Sequence, residues 1–390
     1  MRFAFAVSVL FLCACTETPD LAPDSRFTGA NGVALTAEQI DSTVEHLMQA
    51  GDVPGLALAL ISDGEVAYVK AYGFADVDEG RALETDTVMY AASLTKAAFA
   101  YTVMTLVDEG VVDLDRLISD YLPRPLEQYE DYADLAGDPR WRIWTLRMLL
   151  SHNAGLPNWR WFSDSQKLEI IFEPGSRYAY SGEGIQVAQL VLEEGLGLDV
   201  NALMQERVFE KFGMRRTSML WRDDFRPNFS RGFDEEGNNL GHNARQSVRA
   251  AGSMDTTVDD FASFLAGVLR GDGLTQASRV EMLSAQVKIT AEHQFPSQFP
   301  VDTNANQDIQ LAYGLGWGIF ASPFGPAFFK EGHDDGTNNY ALCLDEAQRC
   351  ILILSNSSNG EGIFLYLVDA LIGETNLPWE WEGYVPYDRK

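Results

Sequence analysis

Ser93-Leu94-Thr95-Lys96 places a hydroxyl and an amine three residues apart, and on a helix those positions share one face, close enough to exchange a proton. A serine hydroxyl is a poor nucleophile until a base takes its proton, and a lysine serves as that base where apolar surroundings depress its pKa. The residues that follow supply such surroundings. From Ser93 to Val107 the chain carries no Gly or Pro and is apolar on nearly every side, the pattern of a buried helix stopped by Gly110. At its N-terminus the helix dipole favours negative charge developing on the serine oxygen. Ser and Lys at this spacing also occur on solvated helix faces, but a lysine that opens a buried helix needs a partner or a function.

Other chemistry-bearing residues are sparser. His46, His242 and His293 stand alone. His333 adjoins Asp334 and Asp335 without a second His or Cys cluster, a weak basis for a metal centre, and no cofactor is expected. The run Gly314-Leu315-Gly316-Trp317-Gly318 lacks the Lys and helix context of a nucleotide loop. Trp159, Trp161 and Phe162 suit the lining of a substrate cleft and the packing of a core about equally.

Ser93–Lys96, preceded by Tyr90-Ala91-Ala92, resembles the active-site helix of the serine β-lactamase and penicillin-binding-protein superfamily, above all the class C β-lactamases with their esterase and D-aminopeptidase relatives. Val53-Pro54-Gly55, Leu150-Ser151-His152-Asn153-Ala154-Gly155-Leu156, Glu173-Pro174-Gly175 and Tyr178–Ser181 extend the match in order and spacing, from about residue 38 to about residue 358. The resemblance implies that Tyr180 belongs to a Tyr-x-Asn element, where a tyrosinate-like oxygen, its pKa lowered by Lys96, would act as general base in acylation. Gly182 replaces the Asn, removing an amide that by resemblance touches Lys96 and the substrate amide, which weakens the case for amide and β-lactam substrates. His152 becomes a structural residue of its loop.

Glu331-Gly332-His333-Asp334-Asp335-Gly336 falls in the place of the family's Lys-Thr-Gly or His-x-Gly strand. By resemblance His333 stands for the basic residue there, and the backbone N–H of Gly336 joins that of Ser93 as the oxyanion hole. In an ungapped match Asp335 takes the position of a Gly; a slip of one residue restores the Gly at 336.

The elements that must position these residues follow from periodicity. Thr36 and Gln39 form a capping box before Ile40, Val44, Leu47 and Met48, so a helix starts there, and Gly51 can stop it. Leu56–Ile61 and Val66–Tyr72, around Ser62-Asp63-Gly64-Glu65, read as a hairpin. Asp113–Ser247 shows helical stretches, among them Leu146–Leu150, Ile185–Glu194 and Asn201–Phe209, broken by Pro- and Gly-bearing loops. Strand patterns return at Gly314–Phe320, Ala327–Lys330, Tyr340–Leu344 and Ile351–Leu354, before a last helix over Ile363–Ile372. Strands at both ends with helices between them give an α+β fold: one antiparallel sheet from both chain ends, flanked by helices, with a mostly α-helical inserted domain. The expected divisions are 1–14 signal peptide, 15–34 tether, 35–100 with 250–390 as the sheet domain, and 101–249 as the helical domain.

Composition narrows the setting. With 46% hydrophobic and 22% charged residues among 390, the chain is globular. Its 57 Asp+Glu against 29 Lys+Arg give a net charge of −28, which repels phosphate backbones and anionic lipid, so no nucleic-acid partner is expected. Met1-Arg2 followed by an apolar run from Phe3 to Leu12 has the form of a secretory signal. Leu12-Cys13-Ala14-Cys15 resembles a bacterial lipobox, which makes Cys15 the lipidated first mature residue, with a plain signal peptide as the alternative. Thr16 after it, by resemblance, favours the outer membrane. Cys343 and Cys350 flank a polar turn between two apolar runs and can pair across that hairpin in an oxidising compartment.

The expected protein is thus an exported serine hydrolase that forms an acyl-enzyme on Ser93 and cleaves a carboxylic ester or amide, as an esterase, β-lactamase or D-amino-acid peptidase would. Its partner is a small-molecule or peptide substrate, and it meets the membrane through an N-terminal lipid anchor alone. The alternative is a catalytically silent member of the same fold that binds cell-wall peptides or a partner protein.

Overall fold

Leu56-Ala57-Leu58-Ala59-Leu60-Ile61 is apolar at every position because both faces of its strand are covered. Leu56, Leu58 and Leu60 enter one core, while Ala57, Ala59 and Ile61 enter another on the opposite face. The computed structural model describes residues 26–298 and 301–389. Strand Gly55–Ser62 pairs antiparallel with Glu65–Asp76 on one side and with Arg349–Ser355 on the other, where Leu58 faces Ile353. The two ends of the chain therefore meet in the middle of one sheet.

Among the described residues that sheet has nine strands, all antiparallel, in the order 287–288, 312–313, 318–322, 325–334, 337–344, 349–355, 55–62, 65–76 and 81–82. Helices Ala37–Ala50 and Phe364–Leu371 cover one face; Leu94–Asp108 and Val258–Arg270 lie against the other. The first helix starts at the expected capping box: Thr36 Oγ1 accepts from Gln39 N at 3.3 Å, and Gln39 Oε1 accepts from Thr36 N at 2.9 Å.

Leu94–Asp108 is buried along nearly its whole length. Its threonine hydroxyls bond back to main-chain carbonyls, Thr95 to Ala92 at 2.6 Å and Thr102 to Ala98 at 3.0 Å, so they are satisfied without solvent. Lys96 is the one charged side chain inside that buried stretch.

Three features differ from the sequence reading. The described part of the expected tether is ordered: Arg26–Thr28 pairs with Ala34–Thr36, and Phe27, 1% exposed, is pinned in the core. The inserted region holds less regular helix than expected. Its helix Leu146–Leu150 is short, Gly182–Leu190 and Val200–Met204 run on as π-helix over Val191–Gly195 and Gln205–Glu210, so the expected helical stretches are present but wound irregularly, and buried Trp141 and Trp144 lie on a 3₁₀ turn and the segment after it. Gly314–Trp317 is a turn, and the strand begins at Gly318; Gly316 has φ 82°, and a Cβ there would lie 2.4 Å from Ala100 Cβ.

Cys343 and Cys350 face each other across the 337–344 and 349–355 strands and are disulfide-bonded. No helix among the described residues is long and apolar enough to cross a membrane. The apolar N-terminus and Cys15 lie outside the described residues.

Candidate active site

Strand Met89–Tyr90 delivers the chain to Ser93 through a tight turn. Ala92 takes a left-handed conformation, φ 46°, that costs a residue with a Cβ about 1–3 kcal/mol. The turn puts Ser93 at the N-cap of the buried helix and in the lining of a cleft of about 730 Å³. Its backbone N–H has no partner among the described residues.

Lys96 Nζ lies 2.8 Å from Ser93 Oγ and 2.6 Å from the carbonyl of Ala251. Burial, reinforced by the charge of Lys330 and partly offset by Glu331, holds its ammonium well below the usual lysine range. A neutral amine on the serine oxygen is what a general base requires.

Tyr180 packs between two lysines, its ring centroid 5.0 Å from Lys96 Nζ and 4.9 Å from Lys330 Nζ. Burial and the Glu331 carboxylate push its phenol well above the usual range, against a hydrogen bond with Ser93. The expected tyrosinate is therefore not supported. Tyr180 holds its proton more tightly than a free phenol, and Lys96, whose amine lies on the serine oxygen, is the better-suited base. His152, 1% exposed, packs at a tilt against Tyr180 with centroids 4.5 Å apart and accepts from Ser181 N at 3.2 Å, a structural use.

The basic residue on the neighbouring strand is Lys330, which the sequence reading missed. It is fully buried and donates to Tyr180 Oη at 3.1 Å and to Glu331 Oε1 at 2.7 Å. The element is thus Lys330-Glu331-Gly332, three residues earlier than expected. His333 does not take this role. Its side chain, 56% exposed at the cleft wall, has Nδ1 2.7 Å from the Asn338 amide and 3.4 Å from Glu361 Oε2; the bond to Glu361 raises its pKa.

Gly336 is not an oxyanion donor either. It sits at the tip of the 334–337 hairpin, where its N–H goes to Ser358 Oγ at 2.9 Å. The better second donor is the backbone of His333. Strand Gly318–Ser322 stops pairing at Phe329, so beyond that point alternate residues of strand Gly325–Asp334 turn their N–H and C=O groups to an open edge. The tight hairpins at 322–325 and 334–337 assign Glu331 and His333 to that edge, and the Glu331 carbonyl there accepts from Lys330 Nζ at 3.1 Å. Gly332 keeps the strand close to the nucleophile: a Cβ on it would lie 2.6 Å from the Ala91 carbonyl.

Gly182 opens helix Gly182–Leu190, and its N–H goes to Asn158 Oδ1 at 3.1 Å. A Cβ at this position would fall 2.5 Å from the six-membered ring of Trp159. The loop carrying Trp159 is clamped to this helix: Arg160 makes a bidentate pair with buried Glu183, Nε and Nη2 each at 2.8 Å. Trp159 stacks on Trp161, centroids 4.8 Å apart, and with Phe162 they line the cleft together with His333 and Asp335.

This arrangement has counterparts. A family model described as Beta-lactamase matches residues 40–373. The chain is 23% identical over 345 residues to a beta-lactamase of Pseudomonas fluorescens, spanning 82% of this chain and 93% of that one. It is 22% identical over 356 residues to a penicillin-binding protein of Bacillus subtilis (strain 168), spanning 82% and 71% respectively. A solved penicillin-binding protein homologue from Pyrococcus abyssi, described as octameric, shares the fold with a TM-score of 0.71 at 19% identity, over 90% of this chain and 80% of that one. A buried Lys96 on Ser93, set in a β-lactamase/transpeptidase-like fold along most of the chain, places this protein in the beta-lactamase family as a serine hydrolase that works through an acyl-enzyme.

Proposed function

We propose that the protein is an exported esterase, acylated on Ser93 by carboxylic esters in preference to β-lactams and D-amino-acid peptides. In acylation Lys96 takes the proton as Ser93 Oγ attacks the ester carbonyl. The N–H groups of Ser93 and His333 receive the oxyanion, each worth about 3 kcal/mol in the transition state. The Tyr180 hydroxyl gives its proton to the departing alkoxide or phenolate as Lys96 returns one to Tyr180. Water then attacks the acyl-enzyme by the same path in reverse.

The observation that carries the ester preference is the Trp159 ring over Gly182. An amide substrate offers an N–H as well as a C=O, and the ring leaves no polar side chain at residue 182 to meet it. An ester offers acceptors only and loses less. The test is kcat/KM for 4-nitrophenyl acetate and butyrate beside a cephalosporin and a D-alanyl peptide. Higher values for the esters support the reading; efficient cephalosporin turnover with poor ester turnover defeats it.

Export rests on the signal-like N-terminus and the lipobox resemblance at Cys15. The reading is a lipoprotein of the outer membrane facing the periplasm. A diacylglyceryl mass on Cys15 and partition into detergent support this; a soluble protein starting beyond Cys15 defeats the anchor.

A further inference from the structure

Lys330 has three N–H groups, and its near neighbours take all of them: Tyr180 Oη at 3.1 Å, the Glu331 carbonyl at 3.1 Å and Glu331 Oε1 at 2.7 Å. The lysine is fully buried and Glu331 is 4% exposed. Gln294 Nε2 donates to the same carboxylate oxygen at 3.0 Å and fixes its orientation. Behind it, buried Glu382 accepts from Tyr340 Oη at 2.9 Å, and burial with the charge of Glu331 pushes its carboxyl well above the usual carboxylate range. A buried ammonium with a donor to spare beside an acyl-transfer cleft is a receptor for a substrate carboxylate; an ammonium saturated by its own neighbour is not.

We propose that Glu331 is a specificity-determining residue that occupies Lys330 and so turns the site away from substrates carrying a carboxylate beside the scissile bond. Glu331 acts through Lys330 and is a positioning residue. The inference rests on Ser93 being the nucleophile, and it names a substrate class within the proposed esterase activity: acyl donors without an adjacent carboxylate. Penicillins bear such a group next to the lactam nitrogen; nitrophenyl esters do not.

The experiment compares two rates in the full-length protein and in Glu331→Thr and Glu331→Gln. One is the second-order rate of Ser93 acylation by benzylpenicillin, read by intact mass; the other is kcat/KM for 4-nitrophenyl acetate. In Glu331→Thr the ratio of penicillin to ester rate rises at least ten-fold, as Lys330 regains a free donor. In Glu331→Gln, where an amide oxygen still accepts from Lys330 without the charge, the ratio rises about three-fold. A packing defect lowers both rates together, so an unchanged ratio in both variants overturns the proposal. Where thermal unfolding shows Glu331→Thr unfolded, Glu331→Gln decides, and an unchanged ratio there overturns it. Fluorophosphonate labelling of the unaltered protein separates the two layers. No adduct on Ser93 defeats the nucleophile, whereas an adduct with an unmoved ratio defeats the role of Glu331 alone.

Discussion

The indole of Trp159 fills the space a side chain at residue 182 would need, with its ring atoms 2.5 Å from the Cβ that Gly182 lacks. Glycine and tryptophan here form one unit, held by the Arg160–Glu183 pair in the loop and helix that carry them. An asparagine at 182 alone therefore does not restore a Tyr-x-Asn element.

Gly182→Asn is expected to lose about 1–3 kcal/mol by overpacking against Trp159 and to gain no cephalosporin turnover. The double variant Gly182→Asn with Trp159→Ala has room for the amide and is expected to regain stability over the single variant and to turn over cephalosporin faster. Thermal unfolding and a chromogenic cephalosporin assay check both. A stable, β-lactam-active single variant would show that the ring moves aside freely.

Lys330 and His333 are separated by a pair of substitutions. Lys330→Ala removes the hydrogen bond that positions the Tyr180 hydroxyl and is expected to lower ester kcat/KM by roughly 100-fold or more. It also strands the Glu331 carboxylate in the interior, at a cost of about 3–5 kcal/mol. His333→Ala leaves the backbone N–H in place and removes a half-exposed ring, so its effect on kcat/KM is expected to stay below roughly ten-fold. Equal losses in the two variants would contradict the assignment of Lys330.

How much of this was visible in the residues themselves varied with distance along the chain. Ser93 and Lys96 lie one helical turn apart, and the apolar run beyond them announced the burial that depresses the lysine. Lys330 belongs to a strand whose register decides the alignment, and the conspicuous His333 drew the match three residues too far. The missed signal was a lysine closing the apolar run Ala327-Phe328-Phe329, with Gly332 two positions on. Trp159 suits cleft and core equally in the sequence alone, because its contact with Gly182 spans the loop between them. Phe27 looked like part of a polar tether, although one buried aromatic is enough to fasten a short strand.

The pH dependence follows from Lys96. The neutral amine is the active form, so the rate rises with pH through an apparent pKa well below the free-lysine value of about 10.4. That value belongs to the coupled set of Lys96, Lys330 and Tyr180. The stability sign is the same. Between the depressed native value and the normal unfolded value the unfolded chain holds a proton that the native site has released, so the contribution of Lys96 to stability increases as pH rises through that window. A rate that climbs only near the free-lysine value would remove Lys96 as the base.

The disulfide lies toward the opposite end of its strands from His333, with Cys343 paired to Phe328 in the sheet register. Replacing Cys343 and Cys350 together by alanine is expected to cost about 2–3 kcal/mol, seen in denaturant unfolding, while ester kcat/KM stays within roughly two-fold. A large loss of activity without a loss of stability would tie this hairpin to the site.

The central claim is that Ser93 is the nucleophile, and intact-mass analysis after exposure to a fluorophosphonate tests it most directly. One adduct, mapped by peptide digestion to Ser93 and absent from a folded Ser93→Ala variant that no longer turns over esters, is the expected result. An adduct elsewhere, or undiminished ester turnover by Ser93→Ala, would contradict it.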